Sequence, residues 1–278
     1  MTLFAIHSLR AARVNMVMND YVAGLPSPLS FLGLADLHSR RLGLTPWQGG
    51  ILPVFHGVHI SEGRTKPEME PNGGSFGPIE IVEDLTGTVD VSLLLSLQGS
   101  VSATALKQTL IGTRIAGGLI QNDDFVVEEV TQDGSAFRGL KRGYALTPAR
   151  SPERSVFSRG DPASLAQVVD LLYPQDRAAG FGWPIPAAIG YHLLEDPATT
   201  PPRLRTRSKT IPHVFAEPLL GIAECISVRS PQLTKLSAQE LEVLMWRWHS
   251  EGSLLLGNQT YSPDSTRSSY FNEVTSHG

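Results

Sequence analysis

The sequence predicts an α/β (α+β) fold: a split βαβ sheet with a protruding β-arm. Three observations predict it. Segments of strand and helix character follow one another as strand, helix, strand, arm, strand, helix, strand. A glycine- and proline-rich stretch interrupts the middle of that order. Four basic residues late in the chain, Arg203, Arg205, Arg207 and Lys209, occupy alternate positions, the spacing of one face of a strand.

The elements follow in chain order. Leu3 to Val17 reads as a strand whose apolar residues are broken by His7, Arg10, Arg13 and Asn15. Ser27 caps the first helix, Pro28 suits its first position, and Gly43 stops it after Arg40 and Arg41. Leu29, Phe31, Leu32, Leu34 and Leu37 cover most of its circumference, so burial is expected. Ile51 to Ile60 is a second strand. Ser61 to Pro78, with Gly63, Gly73, Gly74, Gly77, Pro67, Pro71 and Pro78, reads as an extended loop or β-arm, too poor in apolar residues to enter a core. Ile79 to Val82 and Thr88 to Leu97 read as strands. Ser102 to Leu110 is a short helix ended by Gly112, and Ile115 to Ile120 a strand bent at Gly117-Gly118. Phe125 to Val130 and Tyr144 to Leu146 add strands.

Two later helices are expected. One starts at Asp161-Pro162, with Leu165, Val168, Val169 and Leu172 on one stripe. The other starts at a Ser237/Glu240 capping box, with Leu241, Leu244, Met245 and Trp248 on its stripe. Trp246 lies off that stripe and is expected as an exposed partner contact. Trp183-Pro184-Ile185-Pro186 forbids helix between them. The tail 261–278 is expected to fray. Domain boundaries follow: 1–150 as the core, with its arm at about 61–78, and 151–278 as an extension completing it.

Composition narrows the function. The net charge of −4 and pI near 6.1 argue against indiscriminate coating of nucleic acid but leave room for a local basic groove. Charge is uneven: Asp123, Asp124, Glu128, Glu129 and Asp133 precede Arg138, Lys141, Arg142, Arg150, Arg154 and Arg159, which only Glu153 opposes. Such asymmetry suits a subunit with a nucleic-acid face and separate protein-binding faces. Cys225 is the only cysteine, which removes an internal disulfide and a cysteine zinc finger. Met1 to Arg10 lacks a signal-peptide core and no apolar run approaches the roughly 20 residues of a membrane span, so a cytoplasmic protein without membrane association is expected.

Catalytic motifs are missing. There is no His-Glu-x-x-His zinc helix, no Walker loop and no Gly-x-Ser-x-Gly elbow. His56 and His59 point to opposite faces of a strand and do not share a metal. Neither a metal nor another cofactor is expected. His7, Tyr21 and Lys66 form the alternative: an acid–base site of a metal-independent endoribonuclease.

The basic row has two readings. With no acid between Asp196 and Glu217, it repels itself unless a polyanion runs along it, a nucleic-acid backbone being the commonest. The other reading is a solvated edge strand guarded against aggregation. Arg138, Lys141 and Arg142 flank Gly139 and Gly143 as a phosphate clamp or a solvated loop. The arm carries Arg64 and Lys66 against Glu62, Glu68 and Glu70, which favours a role in shape over charge.

Several segments together resemble one family. They are Gly24-Leu25-Pro26-Ser27-Pro28 with Arg40-Arg41-Leu42-Gly43; Val89 to Leu95 with Arg114-Ile115-Ala116-Gly117-Gly118; Arg142 to Leu146; Trp183 to Pro186 with Gly190-Tyr191; and the basic segment running into Glu217 and Leu220 to Glu224. Their order is similar to that of the Cas-five type (Csy-two) subunit of type I-F CRISPR surveillance complexes, from about Arg10 to His249. The resemblance implies a ferredoxin-like RNA-recognition (RAMP) domain with a thumb and added C-terminal helices. It implies a non-catalytic subunit that caps the 5′ handle of the CRISPR RNA and adjoins the first Cas-seven type backbone subunit. It implies further a large subunit that reads the PAM, where present, and target double-stranded DNA reached through the complex.

The chain departs from the family in the short stretch between Leu172 and Gly180, which leaves type I-F, a variant, a hybrid or a type IV system open. The candidate RNA contacts are Arg10, Arg13, Asn15, Arg64, Lys66, Arg114, Arg138, Lys141, Arg142, Arg205, Arg207 and Lys209. Arg203, directly after Pro201-Pro202, is left out of that set.

Overall fold

The computed structural model describes residues 1–19, 22–61, 64–131, 136–149, 165–173, 182–204, 206 and 211–258. The chain opens with β1 (Thr2–Asn15), a small hairpin of β2 (Val17–Asn19) and β3 (Val22–Ala23), then α1 (Pro28–Arg41) and β4 (Gly50–Ile60). The arm is β5 (Arg64–Asn72) and β6 (Ser75–Asp84); β7 (Thr86–Leu97) and α2 (Ala103–Leu110) follow. Next come β8 (Arg114–Ile115), β9 (Gly118–Ile120), β10 (Val126–Glu129) and β11 (Tyr144–Pro148). The last part holds α3 (Leu165–Leu172), β12 (Trp183–Leu193), β13 (Ala216–Ser227), α4 (Pro231–Thr234), α5 (Ala238–Glu242), β14 (Arg247–Glu251) and β15 (Leu254–Asn258).

Local chemistry sets the helix ends. Ser27 Oγ accepts the Leu29 N–H at 3.2 Å, Pro28 opens α1, and the Gly43 N–H closes it on the Arg40 carbonyl at a φ of +69°. Ser102 Oγ does the same for α2 by accepting from Ala105. The Ser27 cap agrees with the sequence reading.

Eleven strands form one antiparallel sheet in the order β14-β15-β12-β13-β11-β4-β7-β1-β9-β8, with β10 also on β1. The strands of 1–150 and those of 151–278 form two adjoining blocks within it, so the extension continues the core sheet through the β11–β13 pair. α1 and α2 cover one face. There Phe31, Leu32, Leu34, Leu106 and Leu110 pack on Phe4, Ile6, Phe55, Val91, Leu93 and Leu95. Among the described residues the other face is covered at one end only. Ala136, Phe137, Leu140, Leu233, Leu241 and Met245 pack there on Leu3, Ala5, Leu52, Val54, Leu94 and Ile226.

Three expectations are corrected. The helix expected through 237–248 ends after Glu242, although its capping box is present. Trp246 then makes a two-way backbone pair with Ile51, at 2.9 and 3.0 Å, and β14 begins at Arg247. Trp246 is therefore buried, at 1 % exposure, and offers no partner contact. This bridge returns β14 to β4, so that β4, β11, β13, β12, β15 and β14 close on themselves. The extension, expected as added helices, is mainly strand among the described residues, with α3, α4 and α5 all short.

The arm is a β-hairpin, as expected, but longer: β5 and β6 pair from Arg64↔Asp84 to Asn72↔Ser75 as a sheet of their own. Ile79 to Val82 belongs to it. Gly73 and Gly74, with φ of +56° and +92°, make its tip, where side chains are strained.

Candidate nucleic-acid interface

The face of β4, β7 and β1 left uncovered by the 136–140 turn is polar, and backbone bulges make it so. Apolar residues on the helix side of β1 run Phe4, Ile6, then Leu9, Ala11, then Val14. The two changes of parity fall at Ser8 and Arg13, whose φ values are 60° and 58°, where pairing with β7 slips. Without the first bulge Arg10 would point into the core. With it, Arg10 joins Asp90 on the open face.

Ser92 of β7 supports bulges on both neighbours. Its Oγ accepts the Ser8 N–H at 3.0 Å and lies 2.7 Å from His56 Nε2, where β4 slips between Phe55 and Gly57. His56 Nδ1 lies 3.0 Å from the Arg142 carbonyl, which only accepts, so Nδ1 carries the proton and Nε2 accepts from Ser92. Burial, then repulsion from Lys141 and His7, holds the His56 pKa below its ordinary value, against the opposing effects of the Arg142 carbonyl and Asp90. A neutral His56 fits the hydrogen bonds.

The predicted residues divide into three groups. Arg10 pairs through Nε with Asp90 at 3.0 Å. Arg13, Asn15 and Arg114 meet around the β8–β9 hairpin: the Asn15 N–H donates to the Ala116 carbonyl and Arg114 Nη1 to that of Gly117, both at 2.9 Å. Gly118 is required there. A Cβ at Gly118 would lie 2.6 Å from the Ala12 carbonyl oxygen and 2.7 Å from the Val14 nitrogen, the two residues flanking Arg13.

The third group is a turn. Ala136, Phe137 and Leu140 are buried, and this anchors Arg138, Lys141 and Arg142 in solvent at the edge of the open face. Arg229, which sequence reasoning missed, joins them by donating from Nη2 to the Leu140 carbonyl at 2.8 Å. Asp90, Asn122 and Ser92 were missed too, because nothing local marks them.

Of the basic row only Arg203 is among the described residues, and its partners are not those of the three groups. Arg203 and Leu204 are not in a strand; Arg203 pairs with Glu195, donates to the His213 carbonyl and lies 4.2 Å over the Phe215 ring. The expectation that nothing local neutralises the row fails at this member, because the chain turns back on Glu195. The Phe215 N–H, followed by Arg203, lowers the Glu195 pKa. Arg205, Arg207 and Lys209 lie outside the described residues. So does Tyr21 of the alternative nuclease site. Arg64 and Lys66 are on β5 of the arm, at its base. His7 Nε2 is 3.5 Å from a Glu128 carboxylate oxygen.

Among the described residues no group of three His, Cys, Asp or Glu could hold a metal. No helix among them is long and apolar enough to cross a membrane. A family described as CRISPR-associated protein (Cas_Csy2) matches residues 166–256, the stretch from α3 into β15. No curated protein matches the chain.

Proposed function

We propose that this chain, a CRISPR-associated subunit of the type I-F effector kind by its Cas_Csy2 match, holds the 5′ handle of the guide RNA without cutting it. The carrying observation is the bulged first strand. Two left-handed residues, Ser8 and Arg13, place Arg10, Arg13 and Asn15 on or beside a sheet face left uncovered among the described residues, with Arg138, Lys141 and Arg142 at its margin.

The topology supports the same reading. β1-α1-β4 and β7-α2-β10 are two crossovers whose strands interleave as β4-β7-β1-β10, the split βαβ order of ferredoxin-like RNA-recognition sheets. The β5–β6 hairpin is then the thumb, reaching RNA beside the first backbone subunit. Contact with a large subunit, where present, and with target DNA through the assembled complex completes the proposed role.

Co-expression with a CRISPR RNA and candidate backbone subunits tests this. The expected result is co-purification of the chain with guide RNA, whose sequence includes an intact 5′ handle. The metal-independent endoribonuclease is the competing reading, since His7 and His56 face the same sheet region. Incubating the purified chain with repeat RNA in EDTA separates the two. Specific cleavage that disappears in His7→Ala would overturn the non-catalytic role.

A further inference from the structure

Arg10 is held at three points by two other segments. Its N–H donates to Asn122 Oδ1 and its carbonyl accepts from the Gln121 N–H, both at 2.8 Å. Its Nε donates to Asp90 Oδ1 at 3.0 Å. Asn122 also donates to the Ser8 carbonyl at 2.9 Å, so one side chain ties both sides of the bulge. Neither Nη of Arg10 has a partner among the described residues, and the side chain is 61 % exposed.

A guanidinium gripped only at Nε keeps the edge formed by its two Nη groups free, the edge that meets a phosphate in two parallel hydrogen bonds. Asp90 stands directly across from Arg10 on β7 and across from Gly57 on β4. Gly57 has no side chain to compete for the carboxylate. By charge alone, an acid in the middle of this face opposes a polyanion. Its retention of Arg10 Nε gives it a different use.

We infer that Asp90 is a positioning residue: it fixes the guanidinium of Arg10 with the Nη edge outward, ready for an RNA phosphate. This rests on the RNA-binding reading above. The side-chain ordering that binding would otherwise cost is already met in the free protein.

The test is the sign of the affinity change at Asp90, read by fluorescence anisotropy of the full chain with labelled single-stranded 5′-handle RNA. Asp90→Asn keeps an oxygen acceptor for Arg10 Nε and removes the charge, so RNA should bind as tightly as to wild type or tighter. Asp90→Ala also removes the charge but frees Arg10, and should bind about two- to ten-fold more weakly. A merely structural role would lower the thermal midpoint while leaving the affinity of the folded fraction unchanged. That result, or Asp90→Ala binding as tightly as Asp90→Asn, overturns the positioning role while Arg10→Ala remains weakened. If Arg10→Ala itself binds RNA normally, the RNA reading of this face fails, and positioning fails with it.

Discussion

His56 Nε2 accepts a 2.7 Å hydrogen bond from the hydroxyl of Ser92, and the same hydroxyl accepts the N–H of Ser8 from the opposite side. One central-strand serine, 1 % exposed, thus satisfies a bulge on each neighbouring strand. Ser92→Ala leaves a buried N–H and a ring nitrogen without partners, and should cost about 1–3 kcal/mol in urea unfolding. An unchanged midpoint would show that the bulges need no such support.

Stability should fall with acid through His38. Its Nδ1 lies 2.8 Å from Thr109 Oγ1, and burial, then the Arg41 charge, lowers its pKa to about 4. The unfolded chain takes up this proton near pH 6.5. The neutral folded form therefore contributes stability that is fully present above about pH 6.5 and is lost as pH falls through about 4. The effect is on the order of 3 kcal/mol. His38→Gln, which does not titrate, should flatten the slope of urea-derived stability between those limits; an unaltered slope would assign the acid sensitivity elsewhere.

Trp246 wedges between β4 and β11. Its backbone pairs with Ile51, and its Nε1 donates to the Leu146 carbonyl at 2.8 Å, beyond the point where β11 leaves β4. Trp246→Phe keeps most of the apolar volume but strands that carbonyl, and should cost about 1–3 kcal/mol. Trp246→Ala adds a cavity and should cost about 3–5 kcal/mol. Equal losses in the two variants would remove the hydrogen bond from the explanation.

Arg207 and Lys209 are proposed to bind guide phosphates. Removing either cation should reduce the magnitude of the salt slope of RNA affinity by about 0.7, with little sequence dependence. The double variant Arg207→Ala, Lys209→Ala should show both reductions together. Normal affinity with reduced solubility would instead support an aggregation guard, and an unchanged slope sinks the phosphate-binding assignment.

The arm pairs only with itself among the named sheets. Deleting Glu68 to Gly77 should leave the circular dichroism and melting of the isolated chain nearly unchanged while impairing assembly on guide RNA. Undiminished assembly and target binding would remove its role as a thumb.

What the sequence determined by itself was whatever closes over short distances. The cap at Ser27 and the Ser237/Glu240 box each need partners only two or three residues away, so residue type and spacing suffice. The arm was legible because glycine and proline act through their own backbone. Of the five segments that resemble the Csy-two family, the two in the C-terminal half, from Trp183 and from the basic segment into Glu224, fall within the Cas_Csy2 match at residues 166–256.

Only the tertiary structure decided the rest. Leu241, Leu244 and Met245 are buried as their helical stripe required, yet the helix stops, because the Ile51 backbone supplies hydrogen bonds that further helix would have to outcompete. Ser8 and Arg13 became bulges through Ser92, Asn122 and Gly118, all far away along the chain. A bulge reverses every later inward–outward assignment, and no local pattern announces it. The open face, with Arg10 held by Asp90, therefore exists only once three strands are paired, because each strand's register depends on atoms that its neighbours provide.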